Sequence, residues 1–159
     1  MGDKVSSADN QQGRLKGVKL IPDYVVGLID SEGYFSVSVT IDKSQGWNCH
    51  NVKMVFGIKL SAEDGHILYN LKDWFKCGKV KFRKDRRKNF CDCLEFQVRD
   101  LESLTKVIIP FFQKYPLKFP KKKRTFERFV KIAEMKMAKE HIGPKGFLRA
   151  KKLAYQLHL

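Results

Sequence analysis

The sequence has few cysteines, few acidic residues relative to basic ones, and no long apolar run. Four cysteines among 159 residues are too few and too irregularly spaced for the disulfide framework of a small secreted domain. Cys91 and Cys93 are two residues apart, which is not the C-x2-C spacing of a structural zinc site. No apolar stretch reaches the roughly 18 residues of a membrane span, and the N-terminus lacks the apolar core of a signal peptide. We therefore expect free thiols, no membrane partner and an intracellular location rather than secretion.

Basic residues outnumber acidic ones by 32 to 17, which gives a formal charge of +15 and a sequence pI near 9.8. This imbalance disfavours a small-metabolite enzyme without a polyanionic partner. It favours nucleic acid as the partner, ahead of an anionic membrane surface. Hydrophobic residues make up 43% of the chain, a globular value that excludes disorder along its whole length. We predict a polar, flexible tail over residues 1–19 and a single domain over residues 20–159.

Period-two alternation predicts two β-hairpins. Residues 34–41 place apolar side chains on one face and Ser36, Ser38 and Thr40 on the other, and residues 51–60 pair with them. Residues 79–83 and 90–99 form the second hairpin, in which Leu94, Phe96 and Val98 face inward. Both hairpins therefore have an apolar face for the core and a polar-to-basic face for solvent or a ligand.

Helical periodicity predicts the other elements. A first helix begins at Pro22, a second follows Ser61 as its cap and stops at Gly78, and Asp100 caps a third. A fourth runs from about residue 123 to 140 with Met137 inward, and a short last helix carries Phe147, Leu148, Leu153 and Leu157. The predicted class is α+β with the order α-β-β-α-β-β-α plus C-terminal helices.

The segment VVGLIDSEG, residues 25–33, ends the first helix and opens the first strand. Gly27 and Ser31 are four residues apart, so they share a helix face that a second helix could approach closely. Asp30 and Glu32 lie at the helix C-terminus, where the dipole disfavours a carboxylate unless a cation joins it. Two such helices side by side would bring two Glu32 carboxylates together, and Mg²⁺ would relieve their repulsion.

This segment resembles the LAGLIDADG motif of homing endonucleases. Gly27, Leu28, Ile29, Asp30 and Gly33 are identical to the motif, and Glu32 replaces an acid with an acid. The segment YPLKFPKKK after the third helix is similar to the family's Tyr-Pro-Leu stretch with a downstream lysine. The resemblance covers residues 20–157, and the predicted order of elements agrees with it.

The chain carries one copy of the motif, because the similar string at residues 57–65 is interpreted as a strand–helix junction. One copy supplies half of an active site. The resemblance therefore implies a homodimer formed through the motif helix around Gly27 and Ser31.

The resemblance also implies roles for single residues. Glu32, with the backbone carbonyl of Ser31, would bind Mg²⁺ or Mn²⁺, and Asp30 would brace the helix end. Lys122 aligns with the family's active-site lysine, with Lys121 as the alternative. The family often has a polar residue at the end of the second strand, where this chain has Leu60, so the residue that orients water is unassigned.

The polar sheet face is the predicted DNA-binding surface, because the major groove admits a β-ribbon and rewards Arg, Lys, Asn and Gln at base edges. The basic turn between the strands of the second hairpin is expected to hold phosphates. The predicted DNA-binding residues are Ser36, Ser38, Thr40, Asn51, Lys53, Lys59, Lys81, Arg83, Arg86, Arg87, Glu95 and Gln97.

The function that the resemblance implies is that of an intron-encoded homing endonuclease. It would cleave a long pseudo-palindromic double-stranded DNA site by metal-dependent hydrolysis and leave short 3′ overhangs. Two alternatives remain open at this point: a maturase that binds intron RNA, and a non-catalytic DNA-binding regulator on the same fold. The expected host compartment is an organelle (chloroplast or mitochondrion) or a bacterial or archaeal cytoplasm.

Overall fold

A computed structural model describes residues 16–42, 49–87 and 90–159. Most of the predicted tail, the turn of the first hairpin and two residues of the basic turn lie outside the described residues. The helices are α1 (Pro22–Glu32), α2 (Ile67–Phe75), the three-part α3 over residues 101–114, α4 (Pro120–Met137) and α5 (Pro144–Tyr155). The strands are β1 (Gly33–Asp42), β2 (Cys49–Ser61), β3 (Lys79–Arg83) and β4 (Cys93–Val98).

The four strands form one antiparallel sheet in the order β1-β2-β4-β3. Both predicted hairpins are present, and β2 and β4 join them in the middle of the sheet. Cross-strand partners share a face of the sheet, so the register defines which side chains lie together. Tyr34 pairs with Gly57, Gly57 with Gln97, and Gln97 with Lys79. The α+β class and the predicted order of elements are confirmed.

The core lies between one face of the sheet and the helices, and phenylalanine dominates it. The Phe35 ring lies 5.3 Å from that of Phe56 on β2 and 5.2 Å from that of Phe129 on α4. Phe112 on α3 packs against both strand residues. These rings are fully buried, and the strand alternation that predicted an inward Phe35 and Phe56 is confirmed.

Helix boundaries differ from the prediction where a turn precedes the helix. Ser61 and Asp64 exchange hydrogen bonds as predicted, but these close a turn, and α2 begins only at Ile67. The same helix ends at Phe75, before Gly78, because Lys76 already adopts the left-handed conformation at a φ of 52°.

The third helix passes through Pro110 without a break. Asp100 caps it as predicted, by accepting a hydrogen bond from the Ser103 backbone N–H at 2.8 Å. The α-helical turn Leu101–Ser103 continues into a π-helical turn, Leu104–Ile108, and then into the α-helix Ile109–Lys114. A proline lacks the N–H that a regular helix would use, and the wider turn just before Pro110 accommodates it.

The fourth helix starts and ends one turn earlier than predicted. Pro120 occupies its first position, which suits a residue without an N–H. Met137, predicted to face inward, is exposed at the helix end, and Leu148 on α5 is exposed as well. The prediction extended the apolar face of α4 by one residue too many, to Met137. No helix in the described part of the chain is both long and apolar enough to cross a membrane.

Candidate active site and nucleic-acid interface

Asp30 joins the C-terminal end of α1 to the start of α4. Its carboxylate accepts hydrogen bonds from the backbone N–H groups of Lys118, at 2.8 Å, and Phe119, at 3.3 Å. The side chain is buried, with only 4% exposed. These two hydrogen bonds fix the chain just before the predicted active-site lysines.

Glu32 is the last residue of α1 and is exposed, so its carboxylate is free to meet a ligand. Gly33 follows at the turn into β1, and its close packing explains the glycine. A Cβ there would lie 2.6 Å from the Ile29 side chain and 2.7 Å from the Ile29 carbonyl oxygen. Any larger residue at position 33 would therefore push α1 and β1 apart beside Glu32.

Lys122 lies beside the motif, as the alignment predicted. Its Nζ donates a hydrogen bond to the Gly33 carbonyl oxygen. Burial lowers the pKa of Lys122, while the nearby carboxylates of Asp30 and Glu32 act to raise it. Lys121 is more exposed, and both lysines line a cavity with Tyr34. Of the two predicted lysines, Lys122 has the direct contact to the end of the motif.

The first turn of α4 carries three consecutive lysines, 121 to 123, and no acidic residue. A helix N-terminus is the positive end of the helix dipole, so lysines there are unfavourable for folding. The same turn favours an anion, because backbone N–H groups and side-chain charges act together. A local arrangement that opposes stability is expected at functional sites.

The polar face of the sheet contains the predicted DNA-binding residues in register. Ser38 lies opposite Lys53, Thr40 opposite Asn51, and Lys59 opposite Glu95. Lys81 and Arg83 follow on β3. The lysines, Arg83, Asn51, Ser38 and Thr40 are exposed. The face is therefore continuous, polar and largely basic.

Three residues of this face are not simply exposed side chains that could contact DNA. Glu95 and Gln97 are buried, although they lie on the predicted side. Both are hydrogen-bonded to the Tyr34 hydroxyl. Burial raises the pKa of the Tyr34 phenol to about 12, although the hydrogen bond from Gln97 acts in the opposite direction.

Sequence reasoning missed Tyr34 as a site residue. The available signal was an aromatic residue on a polar strand face opposite a glycine, Gly57. Arg99 was also left out, and it donates to Gln97 just beyond the end of β4.

The basic turn after β3 is structured by its own ion pair. Arg87 binds Asp85 through two nitrogens, at 3.0 and 2.7 Å, and its guanidinium lies 3.7 Å from the centre of the Phe90 ring. The hydrogen bonds from Arg87 hold the pKa of Asp85 well below its usual range. Arg86 is exposed. Of the two predicted phosphate contacts, Arg86 is therefore the one without a partner among the described residues.

The exposed side of α1 carries small residues. Gly27 and Ser31 are exposed, and a Cβ on Gly27 would meet no atom within 4 Å beyond its chain neighbours and the adjacent backbone of its own helix. Tyr24, one turn earlier, is also exposed. A second copy of the helix could approach this side closely.

The donor set fits a hard divalent cation only in part. The Glu32 carboxylate and the Ser31 carbonyl are oxygen donors, which Mg²⁺ and Mn²⁺ prefer. Among the residues that the structure describes, no group of three His, Cys, Asp or Glu side chains could hold a metal. One chain therefore supplies an incomplete ligand set.

Comparison with known proteins agrees with this geometry. The sequence profile of the LAGLIDADG endonuclease family matches residues 25–133, more than half of the chain. The chain belongs to the LAGLIDADG endonuclease family. The match begins at the motif and ends within α4, so it includes Asp30, Glu32, the whole sheet and Lys122.

Relatives from a fungus and an archaeon are similar to this LAGLIDADG chain. A probable intron-encoded endonuclease 2 of Neurospora crassa is 35% identical over 101 residues, which are 62% of this chain and 21% of the relative. The homing endonuclease I-ApeII of Aeropyrum pernix is 34% identical over 115 residues, 71% of this chain and 62% of the relative. The chain thus spans about a fifth of the fungal relative and less than two thirds of the archaeal one.

Solved structures are similar over nearly the whole LAGLIDADG fold. The homing endonuclease I-TnaI superimposes with a TM-score of 0.77 at 32% identity, covering 89% of this chain and 90% of that one. I-SmaMI bound to an uncleaved DNA target in the presence of calcium ions superimposes with a TM-score of 0.75 at 31% identity. That match covers 86% of this chain and 44% of I-SmaMI.

Proposed function

We propose that two copies of this chain form a site-specific double-stranded DNA endonuclease that depends on a divalent metal ion. The observation that carries the proposal is the meeting of three features at one place. An exposed Glu32 ends α1, Lys122 donates to the adjacent Gly33 carbonyl, and β1, the first strand of the polar sheet face, begins at Gly33. The relatives above are named endonucleases, which favours cleavage over the maturase and regulator alternatives.

The proposed dimer follows from the incomplete ligand set and the small side of α1. With Gly27 and Ser31 at the contact, the two copies of α1 would place both Glu32 carboxylates near a common axis. The two sheets would then form one long surface, and its two-fold symmetry predicts a roughly palindromic site.

Each chain would contribute the same groups to the reaction. The Glu32 carboxylate and the Ser31 carbonyl would hold Mg²⁺ or Mn²⁺ together with DNA phosphate oxygens. When bound, the cation would polarise the scissile phosphate and lower the pKa of the attacking water. The Lys122 ammonium would stabilise negative charge on the phosphate. Asp30 holds the start of α4, and thereby Lys122, against the end of α1.

The proposal is tested by incubating the protein with a library of randomised DNA duplexes in Mg²⁺, Ca²⁺ or EDTA. We expect cleavage at one long site in Mg²⁺, and binding without cleavage in Ca²⁺. Specific binding without cleavage in Mg²⁺ and Mn²⁺ would indicate a regulator. Binding of intron RNA without recognition of any DNA site would indicate the maturase. The host compartment stays a prediction; the relatives named above come from a fungus and an archaeon.

A further inference from the structure

A chain of five hydrogen-bonded side chains, here called the sheet network, crosses the polar face of the sheet. In order, its members are Arg83, Glu95, Tyr34, Gln97 and Arg99. Arg83 Nε donates to Glu95 Oε2 at 2.9 Å, and the Tyr34 hydroxyl donates to Glu95 Oε1 at 2.8 Å. Gln97 Nε2 donates to the Tyr34 hydroxyl at 2.7 Å. Gln97 Oε1 accepts from Arg99 Nε at 3.0 Å and from Arg99 Nη2 at 2.7 Å.

The middle of the sheet network is buried and its ends are exposed. Glu95 is 9% exposed and Gln97 is 7% exposed, whereas the Arg83 side chain is 48% exposed. The polar groups of Glu95 and Gln97 are already occupied by protein partners. A base edge in the major groove is therefore accessible to the two arginines and not to the residues between them.

Gly57 makes the crossing possible. It lies between Tyr34 on β1 and Gln97 on β4 in the same row of the sheet. A Cβ at this position would lie 2.5 Å from the Tyr34 hydroxyl oxygen and 2.9 Å from the Phe96 carbonyl oxygen. Only glycine lets the Tyr34 ring cross β2 and reach β4.

We propose that Tyr34, Glu95 and Gln97 are positioning residues that hold the guanidinium groups of Arg83 and Arg99 ready to read base edges. Glu95 and Gln97 thus act through the arginines rather than by direct contact with DNA. This inference rests on the proposed function, because it takes the polar face of the sheet as the DNA-binding surface.

The hydrogen bonds leave different atoms available in the two arginines. Arg99 uses Nη2 as well as Nε toward Gln97, so Nη1 is its terminal nitrogen without a hydrogen bond to another described residue. Arg83 uses Nε toward Glu95, and its two terminal nitrogens make no hydrogen bond to another described residue. Two terminal N–H groups can donate side by side to guanine O6 and N7, the commonest specific contact in the major groove. A guanidinium already fixed in the free protein loses less side-chain entropy when it binds.

The positions of the two arginines bound the distance between the bases they read. Arg83 on β3 pairs with Cys93 on β4, and Arg99 lies six residues after Cys93 in the sequence. At about 3.4 Å per residue this separation is about 20 Å, and successive base pairs are about 3.4 Å apart. We therefore expect the two positions to lie within about six base pairs of each other in each half-site.

The test compares base preferences in single and double variants. Binding to every single-base-pair change of the preferred site is measured in Ca²⁺ for the full chain and for Arg83→Ala, Glu95→Gln and the double variant. An amide has one acceptor oxygen where the carboxylate has two, so Glu95→Gln leaves either Tyr34 or Arg83 without an acceptor. We expect Glu95→Gln and Arg83→Ala to weaken the preference at the same position, by about tenfold, and the double variant to lose no more.

A change of preference from Glu95→Gln that persists in the Arg83→Ala background would overturn the proposal, since Glu95 would then act on DNA directly. The same would follow if the two single variants affected different positions. The same comparison is made at the other end of the sheet network with Gln97→Met, Arg99→Ala and the double variant of these two. Tyr34→Phe removes one hydroxyl and should weaken the base preference at both positions together.

Controls separate positioning from folding and from the proposed function. Lys131→Gln lies on the exposed side of α4, outside the sheet and its DNA-binding face, and it should leave the base preference at both positions unchanged. A thermal unfolding midpoint for each variant shows whether it is folded. If Glu95→Gln does not fold, Tyr34→Phe, which removes a single oxygen atom, takes its place in the comparison. If the unmodified chain prefers no DNA site, the proposed function fails. If the unmodified chain prefers one DNA site, and Tyr34→Phe, Glu95→Gln and Gln97→Met all leave the base preference at both positions unchanged, only this inference fails.

Discussion

At the scale of single residues, Asp30 and Glu32 show how two neighbouring acids come to lie in different surroundings. Residues two apart on an α-helix point to nearly opposite sides. Asp30 therefore faces the protein and accepts two backbone N–H groups, while Glu32 faces solvent at the helix end. The resemblance to the family motif predicts different roles for the two acids. The partners of Asp30, at positions 118 and 119, depend on how distant segments pack.

Replacing Asp30 tests its bracing role. Asp30→Ala leaves two N–H groups of a part-buried loop without an acceptor, so we expect a loss of about 2–3 kcal/mol in the free energy of unfolding. Asp30→Asn keeps one carbonyl acceptor and should lose less. Urea denaturation measures both, with Glu32→Gln as the exposed control that should change stability by less than about 0.5 kcal/mol. Unchanged stability of Asp30→Ala would contradict the role.

At the scale of elements, the strands were predicted better than the helix ends. Alternation in β1, β2 and β4 depends only on one face being buried, and it identified Phe35, Phe56 and Phe96 correctly. Helix ends depend on competing turns. Ser61 has the sequence of a cap but closes a turn before α2. The signal for α4 was present in Pro120, which suits the first helical position.

The sheet network shows what the pattern of one strand cannot predict. Alternation placed Glu95 and Gln97 on the polar face correctly, but it carries no information about the exposure of a polar side chain. Their burial requires Tyr34 from β1, 61 residues away from Glu95, to cross over Gly57. The pairing of distant strands thus converts expected surface residues into buried ones.

The cap of α3 gives a pH-dependent prediction. The hydrogen bond from Ser103 lowers the pKa of Asp100 in the folded protein. The stability it contributes is therefore present above the unfolded pKa, near 3.9, and is lost as pH falls through the lower folded value. We expect Asp100→Ala to cost about 1 kcal/mol at pH 7 and less at pH 3. Urea denaturation at both pH values measures this difference.

Asp100→Asn is the control, because an amide oxygen still accepts from Ser103 but does not titrate. The difference between Asp100→Asn and Asp100→Ala should stay nearly constant with pH. A difference between the original chain and Asp100→Ala that is equal at pH 7 and pH 3 would contradict the assignment.

At the scale of the whole molecule, the proposed active site would take one half from each of two chains. Glu32 lies at the end of a helix whose small, exposed side is free for a second copy. β1, the first strand of the polar sheet face, begins at the next residue, Gly33. Family membership and the fold are therefore established from one chain, whereas assembly and activity are properties that two chains would share.

The proposed dimer contact is tested at Gly27. Because a Cβ there meets nothing in the chain, Gly27→Ala should keep or raise helix stability, by about 0.5–1 kcal/mol. Gly27→Leu should separate the two helices and shift the population toward monomer. Sedimentation velocity over a concentration series measures the shift, and Gly27→Ala should be intermediate. Equal association of the Leu variant and the original chain would place the interface elsewhere.

The basic face predicts a strong dependence of DNA binding on salt. Each phosphate that the protein neutralises contributes about 0.9 to the slope of log K against log salt concentration, and we expect a total slope of about 5 or more. Lys81→Gln removes one positive charge from this face and should reduce the slope by about one. Lys131→Gln, on the exposed side of α4, is the matched control and should leave the slope unchanged. A flat salt response would contradict binding by this face.

The central claim is that Glu32 carries the metal-dependent chemistry. The most direct measurement is the single-turnover cleavage rate of the preferred site in Mg²⁺ by Glu32→Gln, with DNA affinity measured in parallel. We expect a loss of rate of at least about a hundredfold with affinity changed only a few-fold. Cleavage at an undiminished rate would show that the active site does not depend on Glu32.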